Sequence, residues 1–173
     1  MMTAEPRSWL ILGGARSGKT RRALAIGASF VERYYIATAE ALDDEMAARI
    51  AGHREERDEA WTTVEAPLEL PSAIAAISSQ GAVCVTDCLT LWLSNLMAAG
   101  RDIEAAGTAL CEAIQAARPA VVLVSNEVGL GLVPETSLGR AFRDHQGRLN
   151  QRVAATVDQV EFVAAGLPLR LKP

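Results

Sequence analysis

One run of eight residues holds the clearest chemistry in the chain. Gly13-Gly14-Ala15-Arg16-Ser17-Gly18-Lys19-Thr20 fits the spacing G-x-x-x-x-G-K-[ST]. Glycines let a backbone curl until successive N–H groups point at one anion. A helix opening near Lys19 adds its positive N-terminal end. Lys19 brings a point charge to the outer phosphates, and the Thr20 hydroxyl is a ligand type suited to Mg²⁺. The expectation is a phosphate grip on a nucleoside triphosphate. What is then done with the nucleotide does not follow from the loop, because the same grip serves many chemistries.

Such a site also needs a carboxylate at the end of a neighbouring strand, to hold Mg²⁺ or its waters. Two residues qualify. Asp87 ends the apolar run Ala82 to Thr86, and Glu127 ends Ala120 to Ser125. Asp87 is the better metal or nucleotide contact because it follows a buried run directly, but periodicity alone leaves the choice between them open.

A second constellation lies between Leu42 and Arg57. If this stretch is helical, Arg49, His53 and Arg57 fall on one face at i, i+4 and i+8, with Arg54 adjoining. Neighbouring cations keep an imidazole neutral, which is its nucleophilic form, and arginines stabilise charge on an attacked phosphate. The other reading is a solvated face whose Glu45, Glu55 and Glu56 pair with the arginines. Spacing alone favours the solvated face. The second histidine, His145, reads as a solvated helix residue. Arg140, Arg143, Arg148 and Arg152 on the same stretch suit an anionic substrate, a neighbouring subunit or a plain polar face.

These residues need elements to position them. Ser8 to Leu12 is a compact apolar strand running into Gly13, and an alanine-rich helix from Thr20 to about Phe30 follows. Further strands are expected at Arg33–Ala37, Trp61–Val64, Ala82–Thr86, Ala120–Val124, Val160–Ala164 and Leu167–Leu171. Helices are expected from Asp43 to about Ala60, and at Leu70–Ser79, Leu89–Ala99, Glu104–Arg118 and Ser137–Val157. Continuous apolar strands alternating with helices predict an α/β fold: a mostly parallel sheet with helices on both faces. No linker divides residues 1–173, so a single domain is expected.

Composition narrows the function classes. The chain has 173 residues, half of them apolar, and a formal net charge of −4. That balance gives no global basic field for nucleic acid or an anionic membrane. No segment reads as a signal peptide or membrane span, so a cytoplasmic, soluble protein is expected. Cys84, Cys88 and Cys111 lack paired C-x-x-C spacing and read as small core residues in a reducing compartment rather than a metal site.

With these residues assembled, the chain resembles a known family, the bifunctional adenosylcobinamide kinases and adenosylcobinamide-phosphate guanylyltransferases of cobalamin biosynthesis. The resemblance is carried by Gly13 to Thr20, by Tyr35-Ile36-Ala37-Thr38-Ala39, by Asp43 to Ile50, and by His53-Arg54. It continues through Asn126-Glu127-Val128-Gly129-Leu130-Gly131-Leu132-Val133-Pro134-Glu135, Phe142-Arg143-Asp144 and Gly147-Arg148-Leu149-Asn150-Gln151-Arg152. The Asn-Glu-Val-Gly-x-Gly and Gly-Arg-x-Asn-Gln blocks are far more specific than the phosphate loop.

The resemblance implies two reactions. ATP or GTP phosphorylates the hydroxyl on the aminopropanol arm of adenosylcobinamide. GTP then gives its GMP to that phosphate through a guanylyl-histidine, releasing pyrophosphate. His53 matches the guanylylated histidine. Nucleotide contacts carry over to the loop, to Ala37, Thr38 and Ala39, to Arg54, Glu55, Glu56 and Arg57, and to Glu65 and Asp87. Thr20 and Asp87 would serve Mg²⁺. Some members carry two consecutive histidines where this chain has Gly52 before His53. The resemblance further implies a single P-loop domain of the RecA type and a homotrimer. Two rival readings differ in what they predict: a simple small-molecule kinase gives no covalent protein adduct, and a GTP-binding regulatory module gives binding without turnover.

Overall fold

A computed structural model describes residues 7–40, 52 and 59–172. The expected helix from Asp43 to about Ala60 falls almost wholly outside them. The described elements are β1 (Ser8–Gly13), α1 (Lys19–Gly27), β2 (Glu32–Ala37), β3 (Trp61–Glu65), α2 (Leu70–Ala76), β4 (Ala82–Asp87), α3 (Leu89–Ala98), α4 (Ile103–Ala116), β5 (Ala120–Asn126), α5 (Ser137–Thr156), β6 (Gln159–Ala164) and β7 (Leu167–Lys172).

The strands form one seven-stranded sheet in the order β3-β2-β4-β5-β1-β6-β7. All neighbours are parallel except β6 and β7, which form an antiparallel hairpin at one edge. This is the expected α/β architecture, because runs such as Val121-Val122-Leu123-Val124 carry apolar side chains to both faces. Along β1 the side chains alternate. Trp9 and Ile11 join Ala23, Tyr35, Val83, Val85 and Val122 under α1, while Leu10 and Leu12 join Trp92, Leu110, Leu149 and Val153 under the other helices. The sheet is therefore covered on both faces. No helix among the described residues is long and apolar enough to cross a membrane.

Helix ends follow local chemistry. The Asp102 carboxylate accepts from Ala105 N at 3.0 Å at the start of α4, and Thr136 Oγ1 accepts from Gly139 N at 3.0 Å at the start of α5. Helix α1 stops at Gly27, short of the expected Phe30. The Arg33 guanidinium reaches back to the carbonyls of Ala28 (2.9 Å) and Phe30 (2.6 Å) and so stabilises the turn that leaves the helix.

One ion pair joins α1 to β6. Arg22 donates to both oxygens of Glu161, at 2.7 and 2.8 Å. The Glu161 side chain is 4% exposed and that of Arg22 35%. The hydrogen bonds from Arg22 hold the Glu161 carboxyl below its ordinary range, against the opposing effect of burial. A carboxylate depressed in the folded state contributes stability above its unfolded pKa, and that contribution is lost as pH falls through the folded value. Glu161→Gln is thus expected to lower stability at pH 7 by about 1–3 kcal/mol, limited by the hydration Arg22 keeps. Urea unfolding should show the gap between wild type and variant closing as pH drops below about 4. A gap that widens on acidification would contradict this account.

Candidate active site

The phosphate loop begins where β1 ends. A Cβ on Gly13 would lie 2.5 Å from Ser17 Oγ and 2.6 Å from the carbonyl of Val163, so only glycine fits between the loop and β6. Gly18 has φ of 97° as the N-cap residue of α1, a conformation that favours glycine. Lys19 is nearly buried and its Nζ donates to the Gly14 carbonyl at 2.8 Å, lying back across the loop. Ser17 Oγ is buried with no hydrogen-bond partner among the described residues. The β6–β7 turn supports the loop from outside, with Gly166 N donating to the Ser17 carbonyl at 2.8 Å.

The remaining described candidates meet at the same end of the sheet. Ala37 pairs in register with Glu65 on one side and with Asp87 on the other, so three strand ends stand level. Thr20 Oγ1 donates to Asp87 Oδ2 at 2.8 Å, and the Tyr35 hydroxyl donates to the same oxygen at 3.1 Å. The loop's last residue and the end of β4 are therefore in direct contact, across a fold that separates them by 67 positions. In open α/β sheets this carboxyl edge is where ligands bind. Thr38 is fully buried, and its hydroxyl donates to the Cys88 carbonyl and accepts from Cys88 N, both at 2.8 Å. Its place is structural at this level: it joins the end of β2 to the end of β4. Ala39 follows in the loop after β2. His53, Arg54, Glu55, Glu56 and Arg57 lie outside the described residues.

Two residues that organise this edge, Asn95 and Thr90, carried no sequence signal. Asn95, on α3, donates to the carbonyls of Thr38 (2.8 Å) and Pro67 (3.0 Å), so it clamps the connections after β2 and β3. Thr90 Oγ1 accepts from Asn126 N at 2.9 Å. On α5, Asn150 accepts from Ser125 Oγ (2.7 Å) and Gln146 (3.0 Å) and donates to the Asn126 carbonyl at 3.1 Å. This buried network fixes the end of β5 just before Glu127. It also accounts for Asn150 in the Gly147–Gln151 block, which faces inward, whereas Arg148 and Gln151 are exposed.

The arginines of α5 divide by position. Arg152 binds Glu104 at 3.0 Å and Thr108 at 2.6 Å, tying α5 to α4, and Arg140 binds the carbonyls of Pro134 and Glu135. Arg148 is exposed. His145 departs from its expected solvated place. It is half-buried with Nδ1 shielded, because α5 rolls the Gln146 side of the helix into the sheet. Cys84 and Cys88 are buried, as expected for core residues, and burial pushes their thiols up to about 12 and about 11. No group of three or more metal-ligating side chains occurs among the described residues.

Comparisons with known proteins agree with this geometry. Two solved structures share the fold: the P4 protein of bacteriophage phi6 in complex with ADP (TM-score 0.52, 15% identity) and a prototypical ATPase of the type III secretion system of pathogenic bacteria (TM-score 0.57, 10% identity). They cover 94% and 95% of this chain, which spans only 52% and 56% of theirs, so the likeness is one of fold: the P-loop sheet. In sequence, the chain is 44% identical to the bifunctional adenosylcobalamin biosynthesis protein CobP of Pseudomonas aeruginosa, over 94% of this chain and 96% of that protein. It is 41% identical to CobU of Escherichia coli K12, over 94% and 98% of the two chains. A family model described as cobinamide kinase / cobinamide phosphate guanyltransferase matches residues 9–171. By this match and these identities, the chain belongs to the cobinamide kinase / cobinamide phosphate guanyltransferase family.

Proposed function

We propose that this chain phosphorylates the aminopropanol hydroxyl of adenosylcobinamide with ATP or GTP, and then transfers GMP from GTP to that phosphate, giving adenosylcobinamide-GDP and pyrophosphate. The observation that carries the reading is the junction of Lys19, Thr20 and Asp87 at the carboxyl edge of the sheet in a chain of this family. Residues 1–173 act as one domain in this reading, and the protein is a cytoplasmic homotrimer.

The residues have distinct roles. The N–H groups of Gly13 to Thr20 receive the phosphates, and Lys19 swings from the Gly14 carbonyl to the outer phosphate oxygens. Ala37 and Ala39, with Glu65 on the next strand, line the edge along which the nucleoside lies, and the buried Thr38 holds that edge through its bonds to Cys88. Arg54, Glu55, Glu56 and Arg57 are further nucleotide contacts, and His53 is the residue that becomes guanylylated. Thr20 Oγ1 and Asp87 Oδ2 are hard oxygen donors already in contact at the loop, which is the donor type Mg²⁺ takes. Between Asp87 and Glu127, the contact with Thr20 favours Asp87 for this role. When bound there, Mg²⁺ supplies charge neutralisation to the phosphates.

The test separates the two half-reactions. Purified protein with Mg²⁺, ATP and adenosylcobinamide should yield the phosphate ester, and later addition of GTP should yield adenosylcobinamide-GDP with one pyrophosphate released per product. Nucleotide binding with no corrinoid product would support a regulatory module instead. Phosphorylation with no guanylyl transfer would leave only the simple kinase.

A further inference from the structure

Strand β5 lies between β1, which leads into the phosphate loop, and β4, which ends at Asp87. Gly13 is level with Asn126, so Glu127 stands one residue beyond the last pair of that ladder. Its N–H donates to the Gly13 carbonyl at 3.1 Å, which fixes it against the mouth of the loop. The half-buried side chain is aimed by the backbone, with Oε1 accepting from Gly129 N at 2.5 Å. Glu127 forms no ion pair with a described residue. Its neighbour in chemistry, Asp87, is engaged by Thr20 and Tyr35 on one oxygen. Glu65 is four strands from β1, roughly 19 Å away at ordinary strand spacing.

Glu127 also lines an open cleft of about 690 Å³ between α5 and the β6–β7 hairpin. Leu12, Val160, Ala154, Ala155 and Leu171 give it apolar walls, Asn150 and Gln151 add amides, and Lys172 lines it with its ammonium held by the carbonyls of Ala154 and Ala155. Clefts of this size that combine apolar walls with a few polar groups are typical small-molecule sites. So one acidic residue joins two places: its backbone touches the phosphate loop, and it borders the cleft.

We propose that this cleft receives the hydroxyl-bearing arm of the acceptor, and that Glu127 is the general base of the phosphorylation. The assignment deepens the kinase reading above and rests on it. In the step, the acceptor O–H gives its proton to the carboxylate of Glu127 while its oxygen bonds to the γ-phosphorus. The bond from that phosphorus to the bridging oxygen breaks, and the nucleoside diphosphate leaves with the electron pair. The proton later passes from Glu127 to water. The second reaction has no such requirement, because its acceptor is a phosphate already ionised. Glu127 therefore distinguishes the two chemistries.

Glu127→Gln keeps the shape and the bond from Gly129 N but removes the base. Its kcat for phosphorylating adenosylcobinamide should fall by roughly 10²–10⁴-fold. Nucleotide Kd, and guanylyl transfer to adenosylcobinamide phosphate made beforehand, should stay within about twofold of wild type. Ala155→Trp, at an exposed position that spares the fold, should raise the KM for adenosylcobinamide at least about tenfold without changing nucleotide Kd. Near-normal phosphorylation by Glu127→Gln would overturn the assignment of the base, and so would equal losses in both half-reactions, which mark a structural role. An unchanged acceptor KM in Ala155→Trp would overturn the cleft. Failure of the wild type to phosphorylate adenosylcobinamide at all would instead remove the kinase reading beneath both.

Discussion

Lys19→Met is expected to reduce phosphoryl transfer by roughly 10²–10³-fold while the chain remains folded. Methionine is the informative replacement because Lys19 is only 7% exposed: an unbranched side chain of similar length keeps the packing and removes the charge alone. The variant gives up the hydrogen bond to the Gly14 carbonyl at 2.8 Å. Losing that bond costs about 1 kcal/mol, a small part of the stability of a domain of this size. The kinetic loss is larger because charge on the transferring and leaving oxygens grows toward the transition state, so the ammonium binds that state more tightly than the ground state. The decrease should therefore appear mainly in kcat, with a smaller rise in nucleotide Kd. Single-turnover phosphorylation of adenosylcobinamide, with a thermal melt of the same preparation, separates the two effects. A folded Lys19→Met with near-normal turnover would show that the loop does not grip the reacting phosphates.

The parts of this site that were legible in the sequence are those whose signal is local. The loop is written in consecutive residues, and its flanks obey short-range rules: an apolar run becomes β1, and an alanine-rich run becomes α1. Asp87 was legible for a related reason, since a carboxylate directly after a buried run must emerge at a strand end. What joins these pieces is not local. Thr38 meets Cys88 across 50 positions, Ser125 meets Asn150 across 25, and Asn95 reaches Pro67 across 28. Each pair joins a polar side chain to a side chain or backbone group far along the chain, and only the folded sheet brings them together. The early end of α1 has the same cause, because the capping group belongs to Arg33 in the following strand. His145 was misjudged because its face of α5 is set by the buried Gln146–Asn150 network rather than by hydrophobic periodicity.

The segment holding His53 lies outside the described residues, and the role proposed for His53, which the resemblance implies, yields the sharpest prediction. His53→Ala is expected to abolish covalent guanylylation, a loss of at least about 10³-fold, while phosphorylation of adenosylcobinamide continues. In the proposed route an imidazole nitrogen bonds to the α-phosphorus of GTP, and the bond from that phosphorus to the α,β-bridging oxygen breaks, releasing pyrophosphate. The phosphate of the acceptor then attacks the same phosphorus, the N–P bond breaks, and histidine is restored. Two displacements replace one transfer between polyanions, which is the advantage of a covalent intermediate. Arg49, Arg54 and Arg57 would favour the neutral, nucleophilic imidazole and offset charge on the attacked phosphate. GTP labelled at the α-phosphate, followed by denaturing electrophoresis, reads the adduct directly. Label on wild type that vanishes in His53→Ala supports the route, whereas persistent label in the variant, or none on active wild type, ends it. The pattern across variants is the stronger test. In the proposed route the same loop holds the phosphates in both reactions, so Lys19→Met should weaken phosphorylation and guanylylation together. The nucleophile acts only at the α-phosphorus, so His53→Ala should silence guanylylation alone, and two variants that fail alike would refute that division of labour.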